Sequence, residues 1–519
     1  MIYIIGSGPS GVATAKALLA RGIAVTMIDA GVELEKSKQL LLNSLQVAWR
    51  PEVAKKLKHN IHQEDNVKLS YGSDYPYQQV DKVLKIISDK NIYCKPSLAK
   101  GGLSTIWGAF NMPYASEDIH DWPFPISYLE PYYKKVLEFM PLAASKFDST
   151  NSAPLYTDQL FTYQHSKQAD ILLQHMSAHK QNLFPQGFEY GSARLAVSFN
   201  SLSGLPHCSY CGYCQHGCPY QIIYSSQDTL RELEKEKNFT YIKNILVSKL
   251  IENKAGIIIK ASHLHSGNEL EFYGKQVFLA AGAVFSTKIL LASLNLYNKP
   301  VLLKDSQHFM FPCFLYKATS KVKSEKLHTL AQAYIKLTEK NILSNRAHFE
   351  VFTYMDHYES QFKKIFKLFY PLVQYGLTPV LNRMLILQGF LHSQDSEGCL
   401  ISLQEDNKTI KLQQYQFQAD EKLKQIGKYL FKHRRLLGFF PVWSFLQVSK
   451  IMRSYHYGGS FPMSKNKDIV ATDLLGKPYG FTRLHVVDAT VFPSIPAHAI
   501  TLSIMANAYR IANECNIYE

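Results

Sequence analysis

The 519-residue chain has no run of about eighteen uninterrupted apolar residues, and this excludes a membrane-spanning helix. It has no block of consecutive lysines and arginines, so nothing in it argues for nucleic acid. The net charge is nonetheless +15, from 57 basic and 42 acidic residues. That balance suits a phosphorylated substrate, a membrane surface, or simply a basic but unspecialised exterior. Internal repeats and low-complexity tracts are absent. No leader is expected either: the apolar start is about five residues long and runs straight into a glycine turn, so it reads as a first strand. Without an export signal the eight cysteines are expected as reduced thiols in a cytoplasmic setting. An apolar fraction of 46% is that of an ordinary globular protein, and the length suits two or three domains or one large two-part fold.

What is present begins at residue 1. Met1 to Ile5 reads as a buried strand, Gly6-Ser7-Gly8-Pro9-Ser10-Gly11 follows at once, and Val12 to Leu19 reads as a helix. This is the order a G-x-G-x-x-G turn requires. Gly6 permits the tight turn, Gly8 lets backbone approach a pyrophosphate, and Gly11 lets helix and strand pack closely. A second apolar run, Ala24 to Ile28, ends in Asp29 and Ala30. An acid at the end of the second strand is placed to take the ribose hydroxyls of an adenosine. These pieces predict a dinucleotide site on a Rossmann-type α/β domain.

Four cysteines crowd into eleven residues: Cys208, Cys211, Cys214 and Cys218 have the spacing C-x2-C-x2-C-x3-C, and Pro219 follows. The run matches that of bacterial ferredoxins and predicts an iron–sulfur cluster. There is no second such run to share the fourth cysteine. Either Cys218 folds back, Cys94 or Cys313 completes the set, or the cluster holds three irons. A tetrahedral zinc site, free thiols and disulfides are the rival readings.

Along the chain, residues 1–125 read as the first part of the dinucleotide domain, and 126–195 as a helix (Ile126 to Met140) with a polar cover segment. The cysteine run and a second dinucleotide part fall in 196–304. Strands are expected at Ala331–Leu337, Ala347–Tyr354, Met384–His392, Cys399–Leu403 and Lys408–Gln416. They predict one mainly antiparallel sheet, a substrate domain at 305–450 inserted in the first domain. Residues 451–519 complete the dinucleotide domain. Two stretches, Phe362–Tyr370 and Phe431–Trp443, mix aromatics with Lys and Arg. They suit either a peripheral membrane contact or helices that cap the inserted domain.

Taken together the motifs resemble the glucose-methanol-choline (GMC) oxidoreductases. The resemblance runs through the first glycine turn, Gly101-Gly102-Leu103-Ser104-Thr105-Ile106-Trp107-Gly108, Trp122-Pro123 with Leu129-Glu130-Pro131-Tyr132-Tyr133, Ala280 to Ser293, His456 to Met463, and Val486 to Ala512. It implies bound FAD and oxidation of an alcohol by hydride transfer to the flavin N5. Ile106 stands where some relatives carry a flavin-linking histidine, so dissociable FAD is expected. The implied cofactor contacts are the first turn with Asp29 and Ala30, then Gly101, Gly102, Ser104, Thr105, Trp107 and Gly108. Val247, Ala281 and Gly282 follow, and Asp488, Ala489 and Thr501 close the set.

His456, in His-Tyr-Gly-Gly-Ser-Phe-Pro-Met, is the implied general base, because a neutral imidazole can take the hydroxyl proton that otherwise holds back hydride release. The family's second catalytic position falls by counting on Ala499, with His498 one place earlier; His498 is the candidate. The implied partners are a small-molecule alcohol, free or carried on a glycan or lipid, and an electron-acceptor protein or quinone. An electron carrier using flavin and cluster only, and a reductase of lipid carbon–carbon double bonds, are the rival functions.

Overall fold

The computed structural model describes residues 1–47, 50–57, 68–145, 154–200, 207–355, 363, 367, 370, 376–415 and 419–518. The stretch Phe362–Tyr370 lies, but for Lys363, Lys367 and Tyr370, outside them, as do residues 146–153 of the polar cover segment. Among the described residues no helix is long and apolar enough to cross a membrane.

A five-stranded, all-parallel sheet forms the first half. Its order is Leu484–Val486, Gln276–Leu279, Ile2–Ile5, Val25–Ile28, Phe239–Ile242. Ile2–Ile5, Val25–Ile28 and Gln276–Leu279 are buried at every position, as strands covered on both faces must be. Helix Pro9–Ala20 is buried at eight of its twelve positions, most of them small residues such as Ala13, Ala15 and Ala17, and this lets it sit close to the sheet. The chain's last helix, Thr501–Glu514, packs on it.

The second half is built on a seven-stranded antiparallel sheet. Its order is Phe439–Pro441, His308–Leu315, Met384–Leu391, Ala347–Phe352, Ala333–Leu337, Phe188–Ser192, with Gln447–Val448 paired beside His308–Leu315. One face is a sealed core: Phe309, Phe311, Cys313, Leu385, Leu387 and Phe349 pack under helices Lys167–Ala178 and Ala419–Lys432. The α/β class with a parallel cofactor sheet and an antiparallel second sheet is thus the one expected.

Two expectations need correction. The strands of residues 305–450 do not form one sheet. Gly398–Leu403 and Thr409–Tyr415 belong to a separate five-stranded sheet with Val301–Asp305, Tyr457–Gly458 and Lys85–Ser88. Alternation reports which side of a strand is apolar and not which strand lies beside it. The central strand His308–Leu315 was not expected, because Pro312 argues against a strand paired on both sides. The stretch Phe431–Trp443 is divided. Leu437 and Phe439 are buried and Trp443 packs on Phe311 at 4.6 Å. Phe431 and Phe440 stay exposed, 5.5 Å apart, with the Arg434 guanidinium 4.3 Å over Phe431.

Candidate active site

A cavity of about 1130 Å³ joins the two halves. It starts at Gly6–Ser10, passes Gly102–Phe110, reaches His456 and continues along the open face of the seven-stranded sheet. Its size exceeds the roughly 300–1,000 Å³ of a single-ligand pocket, leaving room for a dinucleotide and a second molecule.

The cofactor end is shaped by backbone. A Cβ on Gly6, whose φ is +101°, would lie 2.5 Å from the Ala280 carbonyl oxygen, and one on Gly11 would lie 2.0 Å from that of Gly6. Those two glycines are filled against protein. Gly8 and Gly282 are different: a Cβ there would meet nothing within 4 Å and would project toward the cavity. Helix Pro9–Ala20 starts at Gly8 with no side-chain cap, so its first amides are left for an anion.

Two buried carboxylates flank this cradle. Asp29 accepts from the Ser7 hydroxyl and, at 3.0 Å, from Tyr241; Ser7 Oγ in turn accepts from the Gly101 amide at 2.9 Å. Burial pushes the Asp29 carboxyl up to about 6, against these hydrogen bonds. Asp488 accepts from Gly282 N at 2.9 Å, Ser286 Oγ at 2.5 Å and Thr490 N at 3.0 Å, so it ties the final strand turn to the Ala281–Gly282 turn. Open glycines, an uncapped helix start and an acid at the second strand end fit the pyrophosphate and ribose of FAD.

Of the expected cofactor residues, Gly6 to Ser10, Asp29, Ala30, Gly102, Ser104, Trp107, Gly108, Val247, Ala281, Gly282, Asp488, Ala489 and Thr501 line the cavity. Gly11, Gly101 and Thr105 do not. Gly101 backs onto Gln227, and the Thr105 hydroxyl donates to the Gly102 carbonyl at 2.9 Å.

His456 lines the cavity where the halves meet. The strand that follows it, Tyr457–Gly458, pairs with Val301–Asp305. Asp305 accepts from Ser454 Oγ at 2.6 Å and Met452 N at 2.8 Å, and Ser454 Oγ accepts from His456 N at 2.9 Å. The ring lies 4.9 Å from that of Phe390, and Nδ1 is buried without a hydrogen-bond partner. Burial, then the neighbouring His498, His308 and Lys68, lower its pKa to about 3, so the imidazole is neutral.

His498 is not in the lining; its neighbours Ala499, Ile500 and Thr501 are. Its ring is 5.0 Å from that of Tyr114 and 5.6 Å from that of His348, with Nε2 3.7 Å from Asp118 Oδ2. Burial pushes Asp118 up, but His498, Arg346 and Lys336 hold it well below the usual carboxylate range. Motif reading reaches none of Asp118, Tyr241, His308, His348 or Glu350. A signal existed for two of them: His348 and Glu350 share one face of a strand otherwise apolar, Ala347–Phe352, buried along its whole length.

The iron–sulfur expectation is not supported. Among the described residues no three His, Cys, Asp or Glu side chains are placed to hold a metal ion, the four cysteines included. Burial pushes the thiols of Cys208, Cys214 and Cys218 up to about 12. The loop is held by protein contacts. Tyr71 N donates to the His216 carbonyl at 2.7 Å, Tyr71 OH to that of Cys218 at 3.1 Å, and Gln215 to that of Thr329 at 2.8 Å. Gln215 and His216 thereby become part of the cavity wall beside Ile106 and Trp107.

Residues 441–508, which contain His456 and Asp488, match the family model described as GMC oxidoreductase. No curated protein matches the chain. Solved structures with the same fold include pyridoxine 4-oxidase from Mesorbium loti, with a TM-score of 0.62 at 12% identity over 99% of this chain and 98% of that one. Formate oxidase from Aspergillus oryzae gives a TM-score of 0.61 at 14% identity over 99% and 97%.

Proposed function

We propose that the chain is an FAD-dependent oxidoreductase that oxidises an alcohol at its carbinol carbon. One observation carries this reading: a single cavity connects the dinucleotide cradle to His456. Bound FAD would supply a two-electron acceptor that takes the carbinol hydride at N5. The Gly8 turn and the first amides of helix Pro9–Ala20 would hold its pyrophosphate, and Asp29 its adenosine ribose. Thr501, at the uncapped start of the last helix, would face the isoalloxazine end, where helix amides favour negative charge. His456, neutral and fixed through Ser454 and Asp305, takes the hydroxyl proton. We assign His498 to the second position, just behind the cavity wall at Ala499 and near enough to His456 to help lower its pKa, with Asp118 restraining its Nε2 side.

The two structural neighbours are oxidases by name, so we take dioxygen as the first acceptor to test and a quinone as the second. The test of the reading is anaerobic. An alcohol should bleach the flavin of the FAD-loaded protein, and His456→Ala should keep FAD while slowing bleaching about a hundredfold or more. Equal rates in wild type and variant would remove His456 from this role. A flavin that responds to no alcohol would favour a pure electron carrier.

A further inference from the structure

Beyond His456 the cavity does not end; it follows the open face of the seven-stranded sheet, and the register of three neighbouring strands orders that face into rows. His308 stands opposite Phe390, which stands opposite His348. Two residues further on, Met310, Gln388 and Glu350 lie abreast; then Pro312, Ile386 and Phe352; then Phe314 and Met384. The first row is at the chemistry, since the Phe390 ring is 4.9 Å from that of His456. The second carries the polar groups Gln388 and Glu350. The remaining rows are apolar, and Val380 and Val442 add to the wall beside them.

The opposite face of the central strand is sealed: Phe309, Phe311, Cys313 and Leu315 are buried, while Met310, Pro312 and Phe314 on the cavity side are only partly covered. The strip reaches solvent along its edge beside Met310, where Gln447 pairs with Met310 and Val448 with Phe309; Phe445 there is 65% and Val448 42% exposed, and both line the cavity. Among the described residues no side chain covers this apolar strip, which starts at His456 and opens to water along one edge, so its exposed surface is free to take an apolar partner.

We propose that this strip is the binding floor for a long apolar chain carried by the alcohol. The carbinol carbon lies at His456, one hydrogen-bonding group of the substrate meets Glu350 and Gln388, and the chain runs on over Ile386 toward Phe314, with Phe445 along its edge. This rests on the alcohol-oxidising reading of the same site. The strip sets the scale. Six residue-to-residue steps from Phe390 to Met384 at about 3.4 Å each span roughly 20 Å, which accommodates about 12–16 carbons at about 1.25 Å per bond. Glu350 suits a donor role toward an uncharged group, because burial pushes its carboxyl up to about 8 while Lys68 draws it down.

The test uses the FAD-loaded protein and a series of primary n-alcohols from butanol to dodecanol. In anaerobic flavin reduction, kcat/KM should rise about three- to fourfold per added methylene. In parallel, a fluorescent long-chain fatty acid should bind saturably and be displaced by dodecanol. Ile386→Trp, which fills the middle of the strip, should lower the dodecanol-to-butanol ratio at least tenfold and weaken the probe to a similar extent. Phe314→Ser, a milder change nearer the surface, should move both in the same direction. A flat series with active butanol would overturn the apolar floor and leave alcohol oxidation standing. If no alcohol reduces the flavin, the alcohol reading fails and the probe decides alone. Saturable binding lost in Ile386→Trp supports the floor, and its absence overturns it.

Discussion

The parallel sheet and the seven-stranded sheet meet the same cavity in opposite ways. The parallel sheet offers its strand ends: glycine turns, amides at helix starts and two carboxylates tied down by hydrogen bonds. The antiparallel sheet offers a face, so contact is made by side chains two residues apart on neighbouring strands. Backbone recognition is unforgiving, since an atom added at Gly6 or Gly11 meets backbone and one added at Gly8 takes space the cofactor needs. A side-chain face is adjustable, since each substitution changes shape or polarity without disturbing the strand. The first suits a cofactor of fixed form, and the second a substrate that differs between relatives.

The sharpest way to break this comparison is at the glycines. Gly11→Val would place a branched side chain where even a Cβ lies 2.0 Å from the Gly6 carbonyl oxygen. It should prevent folding, seen as loss of soluble protein. Gly8→Val leaves the fold, because its Cβ meets nothing within 4 Å, but should weaken FAD about 10- to 100-fold in a titration. Ile386→Trp, on the other sheet, should leave FAD affinity unchanged. Equal loss of FAD in Gly8→Val and Ile386→Trp would abolish the distinction.

A finer probe is pH. Because burial, then the basic neighbours His498, His308 and Lys68, depress His456 to about 3, its imidazole stays deprotonated well below the ordinary histidine range. The rate of flavin reduction should therefore hold as pH falls from 8 to about 5. A loss centred near pH 6.5 would mean that His456 titrates as an exposed histidine. The smallest effect is expected at the cysteine loop. Cys208→Ser and Cys211→Ser should change flavin reduction by about twofold or less, the size of a change that touches no special feature. A large loss, or iron co-purifying with the wild type, would restore a metal role to the loop.

How much of this was legible beforehand follows the same division. The turn Gly6–Gly11, Asp29 and the strands around them are read from local sequence, because each residue's role is fixed by its immediate neighbours. His456 and Asp488 came from a resemblance, since nothing local distinguishes a catalytic histidine from a core one. The substrate floor was illegible: His308, Glu350 and Gln388 are far apart in sequence, and only strand register makes them neighbours. Pro312 concealed the strand that carries one side of it. The cysteine run shows the converse. Its spacing is local and specific, yet the chain around it folds into a wall segment held by Tyr71 and Thr329.

The central claim is that the two sheets enclose one reaction site with the imidazole of His456 at its hinge point. The most direct measurement is stopped-flow, oxygen-free mixing of decanol with FAD-loaded wild type and His456→Ala, following the visible flavin band. The account predicts rapid bleaching of the wild type and bleaching slowed about a hundredfold or more in a variant that still carries FAD. Matching traces from the two proteins would contradict it.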